Sequence, residues 1–456
     1  MNNLDRRSFI KKTTAAASAS LIASAPFIQK SAAKPNANDT VNIAVIGVRS
    51  RGKDHYRAVS KIPNVNISIL CDIDERLFPE AVAEVQELTG KKPKTETEFR
   101  KILDDPDIDA VSIATPNHWH ALQAIWACQA GKHVYVEKPV SHTLEEGRKI
   151  VEAARKYNRV VQTGTQARSS TSMMNAMDFV LKGEIGDIYM AKGICFKPRG
   201  SIGHVRDGEI PQGVDWDTYR GPASYRPFNT NRFHYKWHWF WDTGNGDFGN
   251  QGIHQADMAR MALQQSNHPI RIQGIGNYFI LDSDQETPNI QHLEFEYEDG
   301  KILQFEVRGL PSNSEGDIKI GNLIYGAKGW VSMKSEDEGD CQAYHSDIQI
   351  QPSGYSSYKE SKGLTFEDTD PTTSDAVLNH FKNFIACVRS GKWQDLNADI
   401  LEGHLSTSLC HLGNVASRLK RTLHFNPREE KFVNDAEADS YLTKIYRPPF
   451  VLPNNV

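Results

Sequence analysis

The stretch from Val41 to Gly52, VNIAVIGVRSRG, decides the fold of this chain. Its first six residues, Val41–Ile46, are mostly apolar and β-branched, which is the pattern of a strand buried on both faces of a parallel sheet. Gly47 follows the strand directly, and a helical stretch continues from Gly52 through Ser60. The order strand, glycine turn, helix predicts the opening unit of an α/β domain.

Strands and helices keep alternating as far as residue 163. We predict further strands at short apolar runs, namely Val65–Cys71, Ala110–Ala114, His133–Val136 and Val160–Thr163. We predict helices over the segments between them, namely Leu77–Leu88, His118–Ala130 and Leu144–Lys156. Because strands that alternate with helices build parallel sheets, residues 40–165 are expected to form a doubly wound α/β domain.

The turn after the first strand has the features of a dinucleotide site. Gly47 and Gly52 occupy the outer positions of a GxGxxG pattern, and Arg49 replaces the middle glycine. A pyrophosphate would lie at the N-terminus of the following helix, where Arg49 or Arg51 can add positive charge. Asp72 ends the second strand, where a carboxylate accepts hydrogen bonds from the adenosine ribose. Since that carboxylate would repel a 2′-phosphate, the pattern favours NAD over NADP and predicts a Rossmann domain.

Two later segments carry a family resemblance. These are Ala114–His120, with the sequence ATPNHWH, and Val136–Pro139, with the sequence VEKP. Together with the glycine turn they resemble the glucose–fructose oxidoreductase, inositol dehydrogenase and MocA family, and the resemblance covers nearly the whole chain after its leader. It implies a nicotinamide-dependent oxidoreductase that acts on sugars. It also implies a second, α+β domain with a large, mostly antiparallel, open-faced sheet, and a homo-oligomer.

The resemblance also assigns residues in the first domain. It implies that Thr115, Asn117 and Glu137 contact the cofactor and that Lys138 reaches the substrate hydroxyl. A lysine beside a cationic nicotinamide in a dry pocket has a lowered pKa and exchanges protons near neutral pH. Gln166 lies in the segment that links the domains along the cleft, and we expect it to contact the cofactor as well.

The second domain is expected at residues 166–430 and is followed by an extended tail at residues 431–456. A strand region begins at Ile185–Phe196, and several alternating segments suggest an antiparallel sheet. The further predicted strands are Ile270–Leu281, Ile290–Tyr297 and Lys301–Val307, and the predicted helices are Ala376–Arg389 and Ile400–Lys420.

The segment His234–Asp257 concentrates the chemistry of this domain. It contains Trp239 among several aromatic residues, and aromatic faces commonly pack against sugar rings. The family pattern is an acidic residue four positions before a histidine, but here Asn250 precedes His254. Asparagine orients an imidazole without stabilising its charge, so the substitution predicts either a lower pKa for His254 or a purely positioning role. Asp257 is either the missing carboxylate or a structural residue.

Other histidines and the cysteines give weaker signals. His234 and His238 suit either hydroxyl contacts or structural roles. A metal site is not expected, because His118 and His120 diverge at a helix start and a His234, His238, His254 site is disfavoured. The six cysteines form no CxxC pair, which argues against a disulfide framework. We expect Cys71 and Cys195 to be buried free thiols.

Composition and the N-terminal residues indicate the class of the protein and its cellular location. A length of 456 residues suits two domains, and a composition of 39% hydrophobic and 24% charged residues is that of a globular protein. The net charge of −4 offers no general attraction for nucleic acid, and the apolar runs are too short to span a bilayer. Residues 1–33 carry Arg6-Arg7 before a weakly apolar stretch that ends in Ser31-Ala32-Ala33, and they resemble a twin-arginine signal. This predicts a periplasmic or otherwise exported protein.

Three functions are compatible with these patterns. The first is hydride transfer between a tightly bound NAD and a hydroxyl-bearing carbon of a sugar or glycoside. The second is an NAD-dependent glycosidase that works by oxidation, elimination, addition and reduction. The third is a non-catalytic protein that binds a sugar or a nucleotide, and the presence of Lys138 and His254 argues against it.

Overall fold

The computed structural model describes residues 40–335, 340–350, 356–367 and 375–456, so the leader predicted at residues 1–33 lies outside the described residues. No helix among the described residues is long and apolar enough to span a membrane.

The first sheet contains six strands, all of them parallel. They are β1 (Val41–Ile46), β2 (Val65–Cys71), β3 (Lys94–Glu96), β4 (Ala110–Ile113), β5 (His133–Val136) and β6 (Val161–Thr163). Their order is β3-β2-β1-β4-β5-β6, so the direction of winding reverses between β1 and β4. Ligands bind at the carboxyl ends of strands at such a switch point. The predicted doubly wound sheet is confirmed.

Six helices lie in this part of the chain, and the first five accompany this sheet. They are α1 (Arg51–Ser60), α2 (Phe78–Thr89), α3 (Phe99–Leu103), α4 (Asn117–Gln129), α5 (Leu144–Lys156) and α6 (Thr171–Leu181). The sequence signals for α5 are complete: Thr143 and Glu146 form a capping box, the first turn is acidic and the last turn is basic. α6 follows the crossing into the second domain and packs against its sheet.

The second sheet has ten strands in the order β14-β13-β12-β11-β7-β10-β9-β8-β15-β16. Their bounds are β7 (Ile188–Cys195), β8 (Arg271–Asn277), β9 (Ile290–Glu296), β10 (Ile302–Arg308), β11 (Ile320–Gly326), β12 (Gly329–Lys334), β13 (Cys341–Ile350), β14 (Ser356–Phe366), β15 (Leu423–Asn426) and β16 (Lys431–Phe432). All neighbours are antiparallel except β7 and β10, which are parallel. This confirms the predicted mostly antiparallel sheet.

Helices cover one face of the second sheet. They include α8 (Ile253–Ala262) and α10 (Ile400–Leu419). The remaining helices are α7 (Trp216–Arg220), α9 (Ala376–Ser390) and α11 (Ala436–Asp439), of which α9 packs against α1 and the first sheet. A π-helical turn at Phe248–Gly252 leads into α8. Its Phe248 ring stacks on Phe305 of β10 with the ring centres 3.9 Å apart. This packing fixes the start of α8, which carries His254, against the sheet.

The segment after residue 430 returns to the first domain. β16 and α11 come first, and the chain then runs to Phe450, which is buried and packs edge-on against Trp119 of α4. All six cysteines are buried, which agrees with the burial predicted for Cys71 and Cys195.

Candidate active site

A cavity of about 320 Å³ opens at the switch point between β1 and β4. Its volume is in the range of small-molecule sites. Residues from both domains line it. The predicted residues among them are Gly47, Arg49, Arg51, Asp72, Thr115, Asn117, Glu137, Lys138, Gln166, Asn250 and His254. The structure therefore brings most of the predicted site residues together.

Two glycines shape the turn after β1. Gly47 has φ +85°, and a Cβ there would lie 2.8 Å from the carbonyl oxygen of Ala114. At Gly52 a Cβ would lie 1.8 Å from the carbonyl oxygen of Gly47. Gly52 does not line the cavity; it allows helix α1 to start tightly against the turn. Both outer glycines are thus required by close backbone approach.

The turn presents donors for an anion. In the described part of the chain, the amides of Arg49, Ser50 and Arg51 find no acceptor. Ser50 has φ +44°, an uncommon conformation for a residue other than glycine. Sequence reasoning missed Ser50. Successive free amides at a helix N-terminus suit a pyrophosphate.

Asp72, which follows the second strand, fixes the glycine turn by hydrogen bonding. Its carboxylate accepts hydrogen bonds from the amides of Val48 at 2.9 Å and Asp74 at 3.1 Å. Burial raises the pKa of Asp72 to about 6, against the effect of those hydrogen bonds. The carboxylate is therefore mostly ionised at neutral pH and faces the cavity, where a ribose would be expected.

Arg51 connects the turn to the EKP segment. Its Nε donates to Glu137 Oε1 at 2.7 Å, and His55 Nε2 lies 3.0 Å from the same oxygen. Burial opposes ionisation of Glu137, but the charge of Arg51 and the bond to His55 hold the pKa of that carboxyl well below its usual range. Arg51 thus pairs with Glu137, and only its buried Nη2 remains without a partner among the described residues.

Two further buried atoms in the cavity also have no partner within the described ranges. They are Asn117 Oδ1 and Gln166 Oε1. Thr115 differs, since its hydroxyl donates to Gln123 Oε1 at 2.7 Å. An unpaired buried acceptor is costly unless a ligand satisfies it. Two acceptors and the Arg51 donor in one cavity fit the carboxamide and phosphates of a nicotinamide dinucleotide.

Lys138 lies where the two domains meet. It follows the end of β5, and its peptide bond to Pro139 is cis. Its Nζ donates to the backbone carbonyl oxygen of Asn250 at 2.5 Å. Burial lowers the pKa of Lys138 to about 8, with Glu137 opposing the shift and Arg51 adding to it. Such an amine gives and takes protons near neutral pH.

His254 and Asn250 come from α8 and the preceding π-helical turn. Burial, and then the nearby charge of Lys138, lower the pKa of His254 to about 3. The imidazole is therefore neutral at neutral pH. The Asn250 side chain donates to the hydroxyl of Tyr235 at 3.1 Å, so it helps to hold Tyr235 in the wall of the cavity. These contacts favour the positioning role for His254 over a proton-carrying one.

Two predicted substrate contacts lie elsewhere. Asp257 is 1% exposed and forms a bidentate ion pair with Arg168, at 2.7 and 2.8 Å, while it also accepts from Ser406. Asp257 is thus a structural residue, the second of the two roles open to it. Trp239 is 4% exposed and lies under the guanidinium of Arg199. Neither side chain lines the cavity.

The aromatic wall of the cavity comes from residues that precede Trp239 in the chain. It comprises Tyr219, Phe233, His234, Tyr235, Trp237 and His238. The wealth of aromatic residues in this segment was a valid signal, but sequence could not show which of them face inward. His238 stacks on Trp237 with ring centres 3.6 Å apart.

Histidine geometry does not favour a metal at the cavity. The ring nitrogens of His120 each lie 2.7 Å from a backbone carbonyl oxygen, of Pro139 and of Thr115. Among the described residues one group has metal-like spacing, His268, His404 and Glu430, and it is not part of the cavity lining. There Arg148 also pairs with Glu430, so the carboxylate already has cationic and N–H partners.

Comparison with known families covers both domains. Residues 41–165 match the family model described as an oxidoreductase family with an NAD-binding Rossmann fold. Residues 195–321 and 369–452 match the model for the C-terminal alpha/beta domain of an oxidoreductase family.

Individual relatives are more distant. A glycosyl hydrolase family 109 protein of Shewanella baltica (strain OS185) is 28% identical over 206 residues, which are 41% of this chain and 45% of that protein. A levoglucosan dehydrogenase of Pseudarthrobacter phenanthrenivorans is 34% identical over 157 residues, or 34% of this chain and 40% of that protein. The chain thus spans less than half the length of these curated relatives.

The solved structures agree in fold. Levoglucosan dehydrogenase in complex with NADH and levoglucosan superimposes with a TM-score of 0.62 at 18% identity, covering 84% of this chain and 99% of that one. An aldose–aldose oxidoreductase from Caulobacter crescentus gives a TM-score of 0.59 at 17% identity, over 85% and 100% of the two chains.

Proposed function

The chain belongs to the Gfo/Idh/MocA oxidoreductase family, with an NAD-binding Rossmann domain, and on this premise we propose that it transfers hydride between NAD and a hydroxyl-bearing carbon of a sugar or glycoside. The observation that carries the proposal is the position of Lys138. Its amine lines the same cavity as Asn117 Oδ1 and Gln166 Oε1, two acceptors without a partner among the described residues, and its pKa is lowered to about 8.

NAD is proposed as the cofactor in preference to NADP. The carboxylate of Asp72 accepts from Val48 and Asp74 and keeps further lone pairs for ribose hydroxyls. A 2′-phosphate would bring a second negative charge to an enclosed site. The free amides of Arg49 to Arg51 and the Arg51 Nη2 are the donors available to the pyrophosphate and carboxamide.

Lys138 moves the proton of the substrate hydroxyl in this scheme. When bound, NAD supplies the carbon that accepts the hydride. The neutral amine of Lys138 takes the hydroxyl proton as the carbonyl forms, and its ammonium returns a proton in the reverse direction. The carbonyl oxygen of Asn250 holds one N–H of Lys138, which aims the remaining positions of Nζ into the cavity.

His254 orients the same hydroxyl. Because its pKa is about 3, the neutral ring makes hydrogen bonds without adding a charge beside Lys138. The aromatic wall offers flat apolar faces for the C–H side of a sugar ring, with the phenol of Tyr235 at its edge. Names of relatives that act on levoglucosan and on aldoses support a sugar substrate.

A redox-neutral glycosidase is the second candidate. The relatives named glycosyl hydrolase family 109 favour it. Oxidation of a ring hydroxyl would acidify the neighbouring C–H, and loss of that proton would expel the glycosidic oxygen. Water would then add, and the stored hydride would return to the carbonyl. No electron is gained or lost overall, so this route suits a cofactor that stays bound.

One experiment separates these reactions. Purified protein is freed of loose nucleotide by gel filtration, the bound nucleotide is identified by mass spectrometry, and sugars, sugar pairs and glycosides are then added without further NAD. Many turnovers support a cofactor that is reset in place. Strict dependence on free NAD, with NADH accumulating one for one, would identify an ordinary dehydrogenase. Absence of hydride transfer to any of them would favour a binding protein.

A further inference from the structure

We propose that residues 213–238 of the second domain complete the adenosine half of the dinucleotide site and retain the nucleotide from one turnover to the next. This segment is called the roof below. The inference rests on the proposed function, because it requires that the cavity binds NAD. It assigns to the second domain a part of the cofactor site that the Rossmann domain alone does not provide.

The roof is joined to the loop after β2 by backbone hydrogen bonds. The amide of Glu75 donates to the carbonyl of Gly213 at 2.8 Å, and the amide of Asp215 donates to the carbonyl of Ile73 at 2.9 Å. Asp74 and Val214 form the antiparallel pair between these two bonds. This loop begins at Asp72, so the roof is attached beside the group proposed to bind the ribose.

A side-chain contact reinforces the attachment. His234 Nε2 lies 3.4 Å from Asp74 Oδ2, and the same carboxylate makes a bidentate pair with Arg76. Burial, and then the charge of Arg49, lower the pKa of His234 to about 4, so its ring is neutral at neutral pH. The neutral ring therefore lies in close polar contact with Asp74 and adds no charge to the loop after β2.

A second attachment, at residues 217–221, joins the roof to helix α4 and to the C-terminal tail. Trp119 Nε1 donates to the carbonyl oxygens of Thr218 and Tyr219, at 3.0 and 3.1 Å. His118 Nε2 donates to the Tyr219 carbonyl at 2.9 Å. From the C-terminal tail, Arg447 donates to the carbonyl of Gly221 at 2.8 Å and pairs with Asp217 at 2.6 Å. The roof is thus attached to the loop after β2, to α4 and to the C-terminal tail.

The inner surface of the roof suits an adenine ring. Tyr219, Phe233 and His234 line the same cavity as Leu77 and Phe99 of the first domain. Tyr219 and Phe233 are 5% exposed each and belong to one aromatic cluster with Trp216 and Phe228. A flat heterocycle gains most from such faces, while its ribose meets Asp72.

Release of the nucleotide requires the roof to open. Opening would break the backbone pair at Asp74 and Val214, the bonds from α4 and the packing of Ile73 against the aromatic cluster of the roof. These contacts join the roof to two segments of the first domain, the loop after β2 and α4, so both attachments must break before the roof can lift. Exchange of nucleotide should therefore be slow relative to turnover.

A reversible crosslink tests the roof. Asp74 and Val214 are the non-hydrogen-bonded pair of their ladder, with Cα atoms expected about 4.5 Å apart, within the range that a disulfide spans. The full-length Asp74→Cys, Val214→Cys variant is loaded with NAD while reduced and then oxidised. Release into excess unlabelled NAD is followed by filtration. We expect release at least tenfold slower in the oxidised than in the reduced protein, with dithiothreitol restoring the faster rate. Equal rates in both states would overturn the proposal.

A second variant avoids the buried pair. Arg447→Ala removes the side-chain contacts of the tail to the roof, and we expect nucleotide release to become severalfold faster. Arg389→Ala is the matched control, since that exposed arginine also holds backbone carbonyls, of Pro63 and Asn64, and takes no part in the cavity. Equal release in Arg447→Ala and wild type would count against the roof. If wild-type protein binds no NAD in any state, the proposed function itself fails, and this inference fails with it.

Discussion

The ammonium of Lys138 lies 2.5 Å from the backbone carbonyl oxygen of Asn250, so the end of a first-domain strand and the π-helical turn of the second domain meet in one hydrogen bond. The proposed acid–base group is therefore held by backbone, while the Asn250 side chain is free to contact Tyr235. A substitution at Asn250 should disturb the wall of the cavity more than the position of Lys138.

Replacing Lys138 should slow hydride transfer and leave the cofactor bound. We expect Lys138→Met to lower kcat by about 10²-fold or more, the usual contribution of a general acid–base. Bound nucleotide, measured by mass spectrometry, should remain. Lys182→Met is the control, because that lysine is exposed and pairs only along its own helix. Full activity of Lys138→Met would remove this residue from the mechanism.

The pH profile should report Lys138 and not His254. Since oxidation needs the neutral amine, kcat/KM for oxidation should rise with pH and level off above about 8, and reduction should show the opposite trend. His254 stays neutral across this range, with its pKa at about 3. We expect His254→Gln to lower kcat without moving the inflection. A profile that loses its inflection in His254→Gln would make the histidine the titrating group.

Asp72 should control nucleotide affinity and choice. An ionised carboxylate binds ribose hydroxyls better than a protonated one, so NAD affinity should fall as the pH drops below about 6. Asp72→Asn should weaken NAD binding about tenfold, flatten that pH dependence and narrow the preference over NADP. Titration calorimetry with NAD and with NADP at pH 5 and pH 8 measures the affinity, its pH dependence and the preference between the two nucleotides. Tighter binding of NADP than of NAD by the wild type would refute the assignment.

Asp257 should matter for stability and not for substrate. Asp257→Asn breaks a buried ion pair with Arg168, which typically costs about 3–5 kcal/mol of unfolding free energy. Urea unfolding measures the loss, and the Asp257→Asn, Arg168→Met double variant should recover part of it. KM of the folded variant should match the wild type. A raised KM with unchanged stability would return Asp257 to the substrate site.

Export is proposed to depend on the arginine pair of the leader. Arg6→Lys with Arg7→Lys should leave full-length precursor in the cytoplasm, because the twin-arginine route requires both arginines. Cell fractionation and immunoblotting detect it. Substituting Lys11 and Lys12 by Arg is the matched control, since the charge stays the same. Normal export of the arginine-pair variant would point to another route.

Short-range patterns predicted the first domain closely. β1, β2, β5 and α5 have the bounds expected from their apolar periodicity and caps. In the second domain β8 is shorter than predicted, and the strands from β11 to β14 were not predicted at all. In β11 and β12 glycine and polar residues interrupt the apolar ones, and β13 and β14 are rich in polar residues. The three-residue strand β3 is equally polar and lies at a sheet edge.

In the candidate site, too, local patterns were predictable and long-range contacts were not. Residues tied to a strand end, such as Asp72 and Lys138, could be placed from sequence because strand ends share one edge of the sheet. Asp257 could not, since its partner Arg168 lies 89 residues away. Trp239 could not either, because a run of aromatic residues does not reveal which rings face inward. The attachment of Val214 to Asp74 depends on how the domains meet, which no local pattern records.

The spacing between Gly52 and Gly47 has a consequence for ancestry. Any side chain at position 52 would collide with the backbone of residue 47, whereas Arg49 contributes a side chain that the turn accommodates. Mutation can therefore vary position 49 over generations while positions 47 and 52 are held by geometry. A genome search that demands all three glycines would miss this chain, although both glycines that the backbone geometry requires are present. The two sterically enforced glycines are the better record of descent.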